Sequence, residues 1–99
     1  VSVTFEDYVI EEKDYHQEGY LPVVVTNISN KVQSYSITVD AIGKDGNRIE
    51  QSYVYVNDLG PGKTAVDDRN FMAFTQEKCD VFKDATFEVV KVGVTDVTK

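Results

Sequence analysis

The amino-acid sequence predicts an all-β protein, an immunoglobulin-like antiparallel β-sandwich of six to seven strands. Three observations point there. Runs rich in Val, Ile, Tyr and Phe recur at spacings of roughly ten residues, with Gly, Pro and Asn punctuating the gaps. Several runs alternate apolar and polar residues, the period of a strand with one buried face. The chain has 99 residues, close to the size of one such sandwich, so residues 1–99 are expected to form one domain.

Val1, Val3 and Phe5 alternate with Ser2, Thr4 and Glu6, giving a first edge strand that continues through Tyr8-Val9-Ile10 after a bulge. Glu11 to Gly19 is strongly polar and reads as a connection; it holds His16, the one histidine. The stretch from Leu21 to Ala65 organises the rest. Val23, Val24 and Val25 are β-branched and stiff at χ1, which favours strand. Being apolar on both faces, this strand is expected to be central or covered on both sides. Asn27 to Lys31 stops it with side chains that hydrogen-bond their own backbone.

From Ser34 to Asp40 the alternation is clear. Tyr35, Ile37, Val39 and Ala41 share one face, while Ser34, Ser36, Thr38 and Asp40 share the other. Lys44-Asp45-Gly46-Asn47 is a tight turn, because Gly supplies a positive φ. Ile49 to Val56 returns, and Asp58 to Gly62 ends the strand at Pro61. Thr64 to Phe74 reads as one irregular strand, or two short ones, around Asp67-Asp68-Arg69-Asn70. Gln76 to Asp84 fits a loop or a single helical turn. Thr86 to Val97 closes the chain. Phe87 and Val89 have one parity and Val90, Val92 and Val94 the other, which predicts a bulge near Val89 or burial on both faces. A small barrel is the competing architecture.

Three turns carry a resemblance. Val25-Thr26-Asn27-Ile28-Ser29-Asn30-Lys31 and Leu59-Gly60-Pro61-Gly62-Lys63-Thr64, with Lys44-Asp45-Gly46-Asn47 between them, resemble the FxLYD domains. The resemblance covers about half the chain. Val39, Ala41, Ile42 and Gly43 stand where the naming motif is expected, so that motif is degraded. The resemblance implies a small immunoglobulin-like sandwich of a bacterial extracytoplasmic protein, often a lipoprotein.

Net charge is −7, from 17 acidic and 10 basic residues, with no Lys/Arg cluster. Phosphate neutralisation needs a basic patch, so a nucleic-acid partner is not expected. No apolar run is long enough to span a membrane, so this segment is not expected to insert. Cys79 is the single cysteine, which rules out an intrachain disulfide. Composition does not settle the compartment; the resemblance implies an extracytoplasmic location, with any signal or lipid-anchor segment lying outside this chain.

Catalytic equipment is sparse. Nucleophilic catalysis needs a base beside a nucleophile, and His16 is remote in sequence from Cys79. One His and one Cys cannot supply a zinc site of three or four N/S ligands. Asp45, Asp58, Asp67 and Asp68 match no calcium-loop spacing. Gly60-Pro61-Gly62-Lys63-Thr64 lacks the upstream glycine and following helix of a phosphate loop. Asn27-Ile28-Ser29 is formally a glycosylation sequon, but turn formation accounts for it. No cofactor and no enzymatic activity are expected.

The remaining signal is aromatic. Tyr53 and Tyr55 share one face of their strand, with Val54 and Val56 on the other. If the valines point inward, two amphipathic rings face water, a favourable recognition surface. The expected function is a binding or spacer module of the cell envelope that meets a protein or glycan partner through these rings. The alternatives are a purely structural domain supporting a neighbour, or a loop-based enzyme inhibitor.

Overall fold

The computed structural model describes residues 1–97. Its elements are β1 (Ser2–Phe5), β2 (Val9–Glu12), β3 (Gln17–Thr26), β4 (Gln33–Ile42), β5 (Arg48–Leu59), β6 (Thr64–Ala73), α1 (Gln76–Lys83) and β7 (Thr86–Asp96). Two antiparallel sheets pack together. In one, β3 is flanked by β1 and β2 along one edge and by β6 along the other; in the second, β4 lies between β5 and β7. This is an immunoglobulin-like sandwich of seven strands. Phe5 pairs with Val23 and Val9 with Tyr20, so β1 and β2 form one edge strand interrupted by a single extra residue.

Period-two patterning decides which side chains meet. Tyr35, Ile37, Val39 and Ala41 on β4 are buried, facing Leu21, Val23 and Val25 on β3. Val54 joins them from β5. Fully burying each large apolar side chain stabilises the fold by about 1.5–3 kcal/mol. Val24 points the other way, beside Thr4 and Val66, and is only half-buried. Thus β3 is central in its sheet; its inner residues are fully buried, while of its outer ones Pro22 is buried and Tyr20, Val24 and Thr26 are half-buried.

One end of the sandwich is aromatic. Between Val23↔Asp67, Leu21↔Asn70 and Gly19↔Ala73, β3 advances two residues at each step while β6 advances three. The two bulges let consecutive residues Asn70 and Phe71 both turn inward, with Phe71 at φ 52°. Its ring lies 5.2 Å from Phe87 and 5.6 Å from Phe82. The Tyr8 hydroxyl donates to the Phe71 carbonyl at 2.7 Å. Tyr8 reaches it by crossing Gly19, where a Cβ would sit 2.5 Å from the phenol oxygen.

Two expectations are corrected. Gln76–Lys83 is a helix of two turns rather than a loop or single turn. Thr75 Oγ1 caps it by accepting from the Lys78 amide at 3.2 Å, and Cys79 and Phe82, three apart on one face, are fully buried. Likewise, Glu11 to Gly19 is mostly strand: only residues 13–16 form the loop of the β2–β3 hairpin. Charged side chains on an edge strand point to water without preventing backbone pairing. Here Lys13 meets Glu11 at 3.2 Å and Tyr20 donates to Glu11 at 3.0 Å.

At the opposite end Asn27 is fully buried and joins the sheets. Its Nδ2 donates to the carbonyls of Lys31 (2.7 Å) and Leu59 (2.8 Å), and its Oδ1 accepts from the Ser29 amide (2.8 Å) and hydroxyl (2.7 Å). Its own amide donates to Lys63 O at 3.0 Å, and its carbonyl accepts from Gly62 N at 2.8 Å. Truncation orphans several buried groups at once. Asn27→Ala is expected to cost about 3 kcal/mol, read as a lower midpoint in urea unfolding with an unchanged slope.

Burial, then the charges of Cys79 and Glu50, hold the Tyr8 phenol well above the usual tyrosine range. A raised folded-state pKa means that stability is present below the unfolded value, about 10, and is lost as pH rises above it. Tyr8→Phe is expected to lose about 1 kcal/mol at neutral pH with the missing hydrogen bond. It should also make the alkaline fall in stability shallower, measured by urea unfolding on both sides of pH 10.

Candidate functional site

The outer face of the β5-β4-β7 sheet carries the two tyrosines. Tyr53 stands opposite Thr38, and Tyr55 opposite Ser36; across β4, those residues face Lys91 and Gly93. Val54 between them is buried, so the rings point to water, Tyr53 at 55% exposure and Tyr55 at 67%. The two differ in how they are held. Tyr53 donates its hydroxyl to Gln51 Oε1 at 2.8 Å; Gln51 Nε2 in turn donates to Asp40 at 2.8 Å, and Arg48 lies 3.8 Å from the same carboxylate. Tyr55 belongs to no such chain among the described residues and stands between two grooves.

The first groove, of about 290 Å³, lies over β4 between Tyr55 and β7, lined by Ser34, Ser36, Asn57, Gly93 and Thr95. Two backbone features shape it. Gln33↔Leu59 and Tyr35↔Val56 enclose an extra residue on β5, where Asp58 adopts φ 54°. That bulge brings the Asp58 amide to Ser34 Oγ at 3.0 Å. At Gly93 a Cβ would meet Ser36 Oγ at 2.6 Å, so the absent side chain keeps the Ser36 hydroxyl open to the groove. The second groove, of about 390 Å³, runs beside β6 past Val66, Asp67, Asp68 and Arg69. A ring flanked by hydroxyls and amides can stack on a ligand and orient it by hydrogen bonds.

The other candidates stay apart. His16 sits in the β2–β3 hairpin loop, its Nε2 3.2 Å from Glu18 and its ring 6.3 Å from Phe74. The groove it lines, about 400 Å³ with Tyr15, Phe74 and Gln76, does not include Cys79. Asp45 is engaged in its turn with Asn47, whose amide and side-chain bonds hold the carboxyl below the usual range. Asp58 lies in the β5 bulge, while Asp67 accepts from the Arg69 amide at 3.0 Å. Among the described residues, no three His, Cys, Asp or Glu side chains come together as a metal-ligand group. At Gly60–Thr64 the Gly62 amide is taken by Asn27 and the Lys63 amide by Gly60, so this turn is not a phosphate cradle. The sequon amide of Asn27 is buried within the turn it builds.

Sequence reading missed Gly93, for which an isolated glycine inside a strand run is the available signal. Ser34 and Ser36 carry no signal of their own, because alternate serines look like any solvated strand face. No protein-family model matches the chain, and no curated protein or solved structure matches it either.

Burial, followed by the charge of Asp80, raises the Cys79 thiol, and its Sγ lies 3.8 Å from the Ala73 carbonyl. A thiol held protonated and inaccessible is a poor nucleophile. Cys79 is expected to react with a disulfide reagent at neutral pH only after denaturant is added; full labelling of the native protein within minutes would contradict its placement.

Proposed function

We propose that this chain is a non-catalytic binding or spacer module of a bacterial envelope protein, acting outside the cytoplasm. It engages a protein or glycan partner through the sheet face that carries Tyr53 and Tyr55. The observation carrying this reading is the exposure of both rings on strands whose inner residues Ile37, Val39 and Val54 are buried in the core. The FxLYD-like turns support it further: two of the three segments that bear the resemblance meet in space at Asn27. The spacer reading draws on shape, since the molecule measures 47 × 32 × 16 Å. The acidic balance of −7 disfavours polyanionic partners.

The test is binding of the wild type, Tyr53→Ala and Tyr55→Ala to isolated envelope fractions. Each ring removed is expected to weaken binding about tenfold, with Tyr55 the larger loss, because an anchoring aromatic contributes a kcal/mol or more. Stability should change by no more than about 1 kcal/mol. Undiminished binding by the double variant rejects the tyrosine face and leaves the spacer reading.

A further inference from the structure

The sheet face that bears the two tyrosines differs in charge from end to end. Tyr53 and Lys91 both stand opposite Thr38, and the neighbouring Asp40 and Arg48 lie 3.8 Å apart. Around Tyr55 no charge comes near. None of the residues lining the groove between this ring and β7 is ionised at neutral pH. In a chain with 27% charged residues, the grooves beside His16, beside α1 and beside β6 are all lined by charged side chains, so that neutrality sets this groove apart. Its polar groups are of one kind. Ser34 Oγ accepts the Asp58 amide at 3.0 Å, which leaves its own proton to donate outward. Ser36, Thr95 and the exposed Asn57 add two hydroxyls and an amide, each able to donate and to accept. Val94 is the one aliphatic side chain in the lining.

We infer that the groove beside Tyr55 takes a short stretch of an uncharged glycan. The inference rests on the tyrosine face being the binding face and narrows its ligand. A sugar ring presents C–H groups on its two faces and hydroxyls around its rim. The apolar face settles on an exposed aromatic ring, while the rim exchanges hydrogen bonds with groups that both donate and accept. Tyr55, 67% exposed, supplies the ring; Ser34, Ser36, Asn57 and Thr95 supply the partners for the rim. The missing side chain at Gly93 gives a ligand access to the Ser36 hydroxyl. At about 290 Å³ the groove is at the lower end of small-molecule sites, roughly 300–1,000 Å³, so it holds the stacked part of a glycan and leaves the rest in water. An acidic sugar would find no cation in this lining to pair with its carboxylate. A protein partner fits less well, because the centre of a protein interface is mostly apolar and Val94 alone offers aliphatic surface here.

The test is binding of the 99-residue chain to envelope fractions left intact, oxidised with periodate, which cleaves the vicinal diols of sugars, or digested with protease. Binding is expected to fall about tenfold or more after periodate, the loss of a principal contact. On the intact fraction it should persist in about 1 M salt, where charges are screened beyond roughly 3 Å. Asn57→Ala, at an exposed position, should weaken binding about fivefold, the equivalent of one hydrogen bond. Tyr55→Phe should stay within about twofold of wild type, because stacking uses the ring and not its hydroxyl. Binding that survives periodate overturns the inference; if protease then abolishes it, the tyrosine face serves a protein and the broader reading stands. Loss of binding in salt also overturns it, since the ligand is then charged, and wild-type binding by Asn57→Ala places the ligand outside this groove. Undiminished binding by the double tyrosine variant, or none by the wild type, removes the tyrosine face itself and this inference with it.

Discussion

The buried amide of Asn27 fixes how the two sheets meet. Its contacts span the end of β3, the loop into β4, the last residue of β5 and the turn into β6. Apolar burial contributes far more free energy in total, since a single large core residue rivals the whole clasp. Burial is non-directional, however, and tolerates sliding of one sheet over the other. Hydrogen bonds from one planar amide do not, because each donor and acceptor has a narrow angular range. The core supplies stability and Asn27 supplies the angle.

With that geometry set, strand parity assigns the residues of β4 and the middle of β5 to core or solvent. β4 is the reference strand: from Tyr35 to Ala41 its inner residues are buried, and from Ser34 to Asp40 its outer residues are Ser, Thr and Asp. Bulges then adjust the pattern locally. The one at Asp58 turns an amide onto Ser34, and those in β6 bring Phe71 into an aromatic cluster that no uninterrupted strand would reach. A positive φ at a bulky residue is costly, by roughly 1–2 kcal/mol. Contacts with Phe82 and Phe87, and the bond from Tyr8, offset that cost.

Much of this was legible in the sequence wherever one periodicity acted alone. Ser34 to Ala41 and Tyr53 to Val56 read correctly because each has one wet face and one dry one. The interrupted first strand and the bulge beside Val89 were legible as breaks in parity. The helix was not, because a segment of eight residues spans barely two turns and buries only Cys79 and Phe82. Its signals were the capping Thr75 and the spacing of those two residues. The β2–β3 hairpin was hidden by its charge, since pairing there depends on backbone geometry rather than on an apolar face. The tyrosine pair was readable from parity; the groove beside Tyr55 was not, since it depends on a bulge and a glycine brought together across three strands.

The burial of Asn27 also bears on how the chain can be produced. In a eukaryotic secretory pathway the sequon Asn27-Ile28-Ser29 is chemically eligible for an N-linked sugar, but the nitrogen that would be modified already serves two carbonyls inside the fold. Oligosaccharide transfer and folding would therefore compete for the same atom. A molecule glycosylated first could not close its clasp, whereas one folded first would present no acceptor.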